Sequence, residues 1–204
     1  PTQFPYELLP VMAKHPNVCK YLDIALQHIS DKVLANMRRH IGRDETLALL
    51  ERLRREVPGI HIRTTLMTGF PGEGEAEFEE LKQFVRDAKF DRMGAFAYSE
   101  EEGTYAQEHY DDVIPQEVKD ARVSELMDIQ EQISLELNER KVGTVQRVII
   151  DSEEDDYYVG RTQYDSPEVD PEVLIKKDKK LKTGEFYDVT IVEAMPFDLI
   201  GEVR

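Results

Sequence analysis

IHIRTTLMTGFPGEGEAEFEELKQFVRDAKFDRMGAFAYSEEEGTY, residues 60–105, is the stretch whose reading decides the fold. Residues 60–68 are rich in β-branched types and end in Gly69-Phe70-Pro71-Gly72-Glu73. A helix with an acidic start follows, marked by Phe78, Leu81, Phe84 and Ala88 at helical spacing, and then a second apolar strand, 92–98. Strand, glycine-rich turn, helix and strand in that order imply parallel pairing through a right-handed crossover. In parallel sheets ligands sit outside the carboxyl ends of the strands. Glycines there allow positive φ and let backbone amides approach a ligand closely. The turn marks a small-molecule site.

Working outward, the first 115 residues alternate helix and strand. Pro5 can open a short helix through Lys14, and Pro16 forbids its continuation. Residues 18–26, VCKYLDIAL, read as a largely buried strand with Cys19 as a small core residue. Ser30 caps a helix over 31–39, with Val33, Leu34 and Met37 on one face. Asp44 opens the next, whose Leu47, Leu50, Leu53 and Val57 recur every three or four residues before Pro58-Gly59 stops it. This is α/β architecture, part of a barrel or an open sheet. Beyond it, Pro115 begins a long helix to about residue 141, with Val118, Leu126, Ile129, Ile133 and Leu137 along one stripe and Gly143 as C-cap. From Thr144 the period is two. Val145, Arg147 and Ile149 alternate, as do Tyr157, Val159 and Arg161, and 173–175 and 187–192 continue the pattern between turns at Asp165-Ser166-Pro167 and Thr183-Gly184. These short strands predict a small antiparallel β-barrel of the OB-like kind that binds oligomers or proteins. The expected domains are 1–141 and 142–204.

The chain has 204 residues and a formal charge of −16, which argues against broad binding to nucleic-acid phosphates and fits a basic protein partner. Residues 140–204 hold 10 Lys and Arg against 15 Asp and Glu, net −5. No apolar run reaches the ~20 residues of a membrane span, and nothing at the N-terminus resembles a signal peptide. The start at Pro1 suggests a processed or truncated chain. A single cysteine, Cys19, excludes an internal disulfide and fits a reducing, cytoplasmic setting. Alone, it also cannot hold an iron-sulfur cluster.

Several residues gather where a ligand would lie. Gln27 and His28 follow the first strand and would face a barrel mouth, His28 either as a ligand-contacting or proton-handling group or as a hydrogen-bonded loop histidine. Arg63 sits in an apolar strand beside Thr64 and Thr65. A salt bridge to Asp23 would explain it, but a contact to a ligand carboxylate or ribose is the reading preferred. Tyr98 and Ser99 end the last strand at the same mouth. Arg38, Arg39, His40 and Arg43 form a basic cluster, and KKDKKLK, 176–182, a basic hairpin; both read first as solvated faces. No His, Cys, Asp and Glu spacing makes a metal site.

YLDIALQHISDKVLANMRR, RTTLMTGFPGEGEAEFEEL, FDRMGAFAYSEEEGT and GRTQYDSPEVD together resemble the radical S-adenosylmethionine methylthiotransferases. Within that family the likeness is to the branch acting on an aspartate of a ribosomal protein. Gln27-His28-Ile29-Ser30 stands where tRNA-modifying members read Gln-Ser-Gly-Ser, and Arg63-Thr64-Thr65 and the run from Tyr164 to Asp170 point the same way. The likeness spans the chain, departing at Glu100, where proline is usual, and at Pro171, where glycine is usual.

The resemblance implies the second half of an incomplete (βα)6 TIM-like barrel followed by a TRAM β-barrel, from an enzyme holding two 4Fe-4S clusters. The cluster ligands are missing here, so a fragment inactive by itself is expected. In the intact enzyme a cluster electron would cleave S-adenosylmethionine to a 5′-deoxyadenosyl radical. Methylthiolation of an aspartate β-carbon in small-subunit ribosomal protein twelve would follow. By position, Gln27 and Arg63 would meet the cofactor's ribose or methionine part, the Thr68-Gly69-Phe70 backbone and Phe96 to Tyr98 would surround its adenine, and His28 and Thr65 belong to the same cofactor site. The net −5 of residues 140–204 favours docking of a basic protein over RNA. Two alternatives remain, a tRNA methylthiotransferase fragment and a non-catalytic docking module.

Overall fold

A computed structural model describes residues 4–167 and 172–204. Pro1, Glu168 to Asp170 of the last motif, and the departure at Pro171 lie outside the described residues. The chain divides into two compact units, one of residues 1–18 and 22–130, the other of 19–21 and 131–204.

In the first unit, β1 (Tyr21–Asp23), β2 (His61–Thr68) and β3 (Arg92–Ala97) form a sheet in that order. Around them come α1 (Leu8–Lys14), α2 (Asp31–Asn36), α3 (Arg43–Glu56), α4 (Glu75–Ala88) and α5 (Tyr105–His109). The start of α6 (Gln116–Glu139) belongs to the same unit. Strands β2 and β3 pair in parallel, Arg63 with Arg92, Thr65 with Gly94 and Met67 with Phe96. The period of two sorts β2 cleanly: Ile62, Thr64, Leu66 and Thr68 are buried, and His61, Arg63, Thr65 and Met67 are half-buried on the other face. The crossover helix α4 buries all four residues its spacing singled out, with Val85 added.

Four expectations change. The strand foreseen over 18–26 shrinks to three residues plus an isolated parallel bridge of Gln27 to Leu66. The reason is Thr64, whose hydroxyl donates to the Ile24 carbonyl at 2.8 Å and accepts from the Leu26 amide at 3.3 Å, displacing the regular ladder. Cys19 falls before this strand and is exposed rather than core. Helix α2 stops at Asn36, short of residue 39, because Arg38 takes a left-handed backbone at φ 57°. In α3, Leu47 is exposed and Leu49 takes its place in the core.

The second unit is a closed barrel of β4 (Val145–Glu153), β5 (Tyr157–Arg161), β6 (Val173–Lys176), β7 (Phe186–Ala194) and β8 (Leu199–Val203), ordered β4-β5-β6-β8-β7. Pairing is antiparallel except between β6 and β8. The core is Val148, Ile150, Tyr158, Val173, Ile175, Leu181, Val189, Ile191 and Leu199. Val145 and Arg147 therefore point outward, one residue out of phase with the core set. A side chain at Gly201 would overlap Val189, so the wall closes there only around glycine.

Candidate functional site

Glu73, in the turn after β2, organises the carboxyl edge of the sheet. Its side chain is fully buried. One carboxylate oxygen accepts from the Gly69 amide at 3.0 Å and from Arg122 of α6 at 2.7 Å. The other lies 3.1 Å from His28 Nε2. His28 Nδ1 accepts from the Ser30 amide at 3.0 Å, so Nε2 carries the proton and donates it to Glu73. A buried carboxylate without such partners would cost several kcal/mol. With them it pins the loop after β1 to the turn after β2. His28 is 0 % exposed and both its nitrogens are taken, which corrects the expectation that it meets a ligand.

A neighbouring buried cation completes the frame. Lys119 of α6 donates to Asp112 at 2.5 Å and to the Tyr98 carbonyl at 3.2 Å, while its own carbonyl accepts from the Thr68 hydroxyl. Gly69, at φ 73°, passes so close to Lys119 that any Cβ there would overlap it. Phe70 packs edge-on against Tyr98, ring centroids 4.9 Å apart. Burial, followed by the nearby Glu100, Asp112 and Glu101 charges, raises the Tyr98 pKa. The phenol therefore stays protonated at neutral pH as a donor, and its oxygen is buried without a hydrogen-bond partner.

Gln27 is the other orphan. Its backbone sits in register, its amide donating to the Thr65 carbonyl and its carbonyl accepting from the Met67 amide, yet φ is 71°, uncommon for a residue with a side chain. Its Oε1 is buried and unpartnered. Gln27 lines a cavity of 310 Å³ with Met37 and Arg38 after α2, Met67, Phe70 and Tyr105. That volume is at the small end of ligand pockets. Buried unpaired polar atoms are rare in folded proteins, and at a cavity wall they fit a ligand that completes them.

The other expected site residues divide. Arg63 pairs with Asp23 at 2.6 Å, the bland alternative, yet it and Thr65 lie on the half-buried face of β2, with Phe96, 59 % exposed, on the paired strand. Sequence reasoning missed Glu73, Arg122 and Lys119. A charged residue directly after a Pro-Gly pair, and charges at i and i+3 of a long helix, read as solvated, and only the buried partners reveal them. Residues 104–106 at the start of α5 were missed too, although Thr104 is a recognisable cap whose hydroxyl accepts from the Gln107 amide.

Residues 1–85 match the radical SAM superfamily and 142–203 the TRAM domain. The ribosomal protein uS12 methylthiotransferase RimO of Parabacteroides distasonis is 64 % identical over 203 residues, covering 100 % of this chain and 47 % of that protein. The protein of the same name from Phocaeicola vulgatus is 61 % identical over 204 residues, with the same shares. A solved structure titled coproporphyrinogen III oxidase, a radical SAM enzyme from Escherichia coli, superposes with TM-score 0.49 at 17 % identity over 71 % of this chain and 41 % of that one, and no conclusion is drawn from it. The radical SAM match falls on the parallel α/β unit and the TRAM match on the barrel, and that pairing gives the class as radical S-adenosylmethionine enzymes. The chain belongs to the methylthiotransferase family of that class, and it spans about half the length of the curated relatives it matches.

Proposed function

We propose that this chain forms the cofactor- and substrate-facing part of a methylthiotransferase that modifies an aspartate of ribosomal protein uS12. The supporting observation is the pair of orphaned polar atoms, Gln27 Oε1 and the Tyr98 hydroxyl, at the carboxyl edge of the sheet. One acceptor and one donor there fit S-adenosylmethionine, which carries an ammonium, hydroxyls and ring nitrogens. Bound there, the cofactor would supply the hydrogen-abstracting chemistry of the family. Gln27, Arg63, Thr65 and the Gly69 backbone would hold its polar groups, while Phe96 and the Phe70–Tyr98 pair would cover its base and exclude water. His28 and Glu73 act behind this surface, fixing its two loops.

An iron-sulfur cluster does not fit the residues present. Such clusters take several thiolates, the sequence has one cysteine, and among the described residues no three of His, Cys, Asp and Glu are grouped to bind a metal. The two 4Fe-4S clusters belong, on this reading, to the intact parent enzyme, with their ligands outside this chain. No helix among the described residues is long and apolar enough to cross a membrane.

Residues 142–204 would dock the substrate protein. Their acidic excess suits a basic ribosomal protein better than phosphate. The tRNA-modifying alternative has one observation in its favour, an exposed aromatic, Phe186, with Arg147 4.9 Å above its ring on a small barrel. Against it, Lys177 of the basic hairpin is paired with Glu153 at 2.6 Å. The test is a titration of the chain with purified uS12 and, separately, with tRNA at two salt concentrations. Tight protein binding without tRNA binding supports the reading; salt-sensitive tRNA binding alone would move the chain to the RNA-modifying branch. Measured binding of S-adenosylmethionine that Gln27→Ala abolishes would support the cofactor site. No binding by the native chain would favour the docking module.

A further inference from the structure

The basic cluster Arg38, Arg39, His40 and Arg43 divides once its partners are seen. Arg43 is paired with Glu80, and Arg39 donates to the Ala25 carbonyl. Both serve the fold. Arg38 is exposed and lines the 310 Å³ cavity, with its guanidinium 4.4 Å above the Tyr105 ring, which is itself stacked on His109 at 3.8 Å. Among the described residues no carboxylate or carbonyl engages its N–H groups. That is notable in a chain with 42 Asp and Glu against 26 Lys and Arg.

Arg38 is left-handed at φ 57° as the turn that ends α2, its amide donating to the Ala35 carbonyl and the Arg39 amide to the Leu34 carbonyl. This helix end brings the guanidinium to the cavity rim, over the Tyr105 ring. Gln27, which also lines the cavity, is left-handed at φ 71°, uncommon for a residue with a side chain. A guanidinium over an aromatic ring keeps its edge N–H groups free, and that planar fork matches a carboxylate in two-pronged geometry.

We propose that Arg38 is the receptor for a carboxylate side chain of the peptide substrate, the target aspartate itself, and so a specificity-determining residue. The inference rests on reading the chain as part of an aspartate methylthiotransferase. S-adenosylmethionine also carries a carboxylate, so the test must tell the two sources apart.

The experiment measures binding of the native chain, Arg38→Gln and Arg38→Lys to three probes. These are a peptide spanning the target loop of uS12, the same peptide with asparagine for the target aspartate, and S-adenosylmethionine. A charge-assisted pair predicts that the native chain prefers the aspartate peptide by about tenfold to a hundredfold. R38Q should bind both peptides equally, R38K should keep part of the preference, and cofactor affinity should hold in all three. Equal affinity of the native chain for both peptides overturns the role of Arg38 and leaves peptide docking intact. Loss of cofactor affinity in R38Q with the peptide preference unchanged assigns the guanidinium to the cofactor and overturns the peptide assignment. If the native chain binds neither peptide, the docking reading falls and this inference with it. Thermal melts of both variants, expected to match the native chain because Arg38 is exposed, show that each is folded.

Discussion

Glu73, Gln27 and His28 show how adjacent residues at one site can do opposite work. Glu73 neutralises Arg122, holds His28 and caps the Gly69 amide. Glu73→Gln removes the charge and leaves Arg122 buried with only the exposed Glu75 carboxylate, 3.6 Å away, as counter-ion. An expected loss of about 3–5 kcal/mol in urea unfolding follows. A loss under about 1 kcal/mol would mean that Arg122 finds solvent or another acceptor. His28→Ala strands a carboxylate oxygen and the Ser30 amide, for about 1–3 kcal/mol. Gln27→Ala removes an atom that has no partner, so its stability should be native or slightly higher while cofactor binding falls. If Gln27→Ala destabilised as much as His28→Ala, the orphaned oxygen would be a structural group and the site would lose its best mark. None of this contrast was visible in the string Gln-His-Ile-Ser. Position at a strand end made both residues candidates, and only burial and hydrogen-bond partners separate them.

At the scale of elements, the sequence was most legible where apolar periodicity carries the fold. Helix α4 and strand β2 follow their 3.6- and 2-residue patterns almost residue for residue, and both flank the glycine turn that marked the site. Helix α6 shows where that logic stops. Its buried residues are Lys119, Arg122, Leu126, Gln130, Ile133, Ser134 and Asn138, five of the seven polar. Val118, expected inside, is exposed. Lys119, Arg122, Gln130 and Asn138 each reach a distant backbone carbonyl or carboxylate, such as Gln130 Nε2 donating to the Phe90 carbonyl at 2.9 Å, and such partners leave no periodic trace. In the barrel the period was legible and the phase was not, because Val145 and Val148 are equally apolar and only closure selects the second. Helix α4 also carries a pH dependence. Glu77 reaches back to the Gly74 amide at 2.8 Å and pairs with Lys32 at 2.9 Å. The Lys32 hydrogen bond first, then the Gly74 amide, lowers its pKa below 4.5. A folded-state pKa below the unfolded one means that this stability is present above about pH 4.5 and is lost as pH falls through the folded value. Glu77→Gln should therefore be less stable than the native chain at neutral pH, and the gap should close in acid. Urea midpoints at neutral pH and near pH 3 check it, and a gap that persists in acid would show the cap to be independent of charge.

For the whole molecule, charge is the property that acts at long range. A chain at −16 repels itself, and its paired surface ions, such as Lys82 with Glu79 and Glu125, offset this only locally. Raising ionic strength from about 0.01 M to about 0.15 M shortens the screening length from about 30 Å to about 8 Å. Distant like charges are then screened, while the buried Glu73–Arg122 and Lys119–Asp112 pairs keep their interactions. The melting temperature should rise over that interval. The same screening removes the attraction between an acidic chain and a basic ribosomal protein, so affinity for uS12 should fall as stability rises. Opposite signs from one variable form a sharp test, because a merely salt-stabilised protein would bind as well or better. Melting followed by calorimetry and binding followed by fluorescence anisotropy, in the same buffers, measure both. If affinity were flat across that range, docking would have to rest on apolar contact, and the exposed Val142, Val192, Met195 and Phe197 of the barrel unit would become the surface to change first.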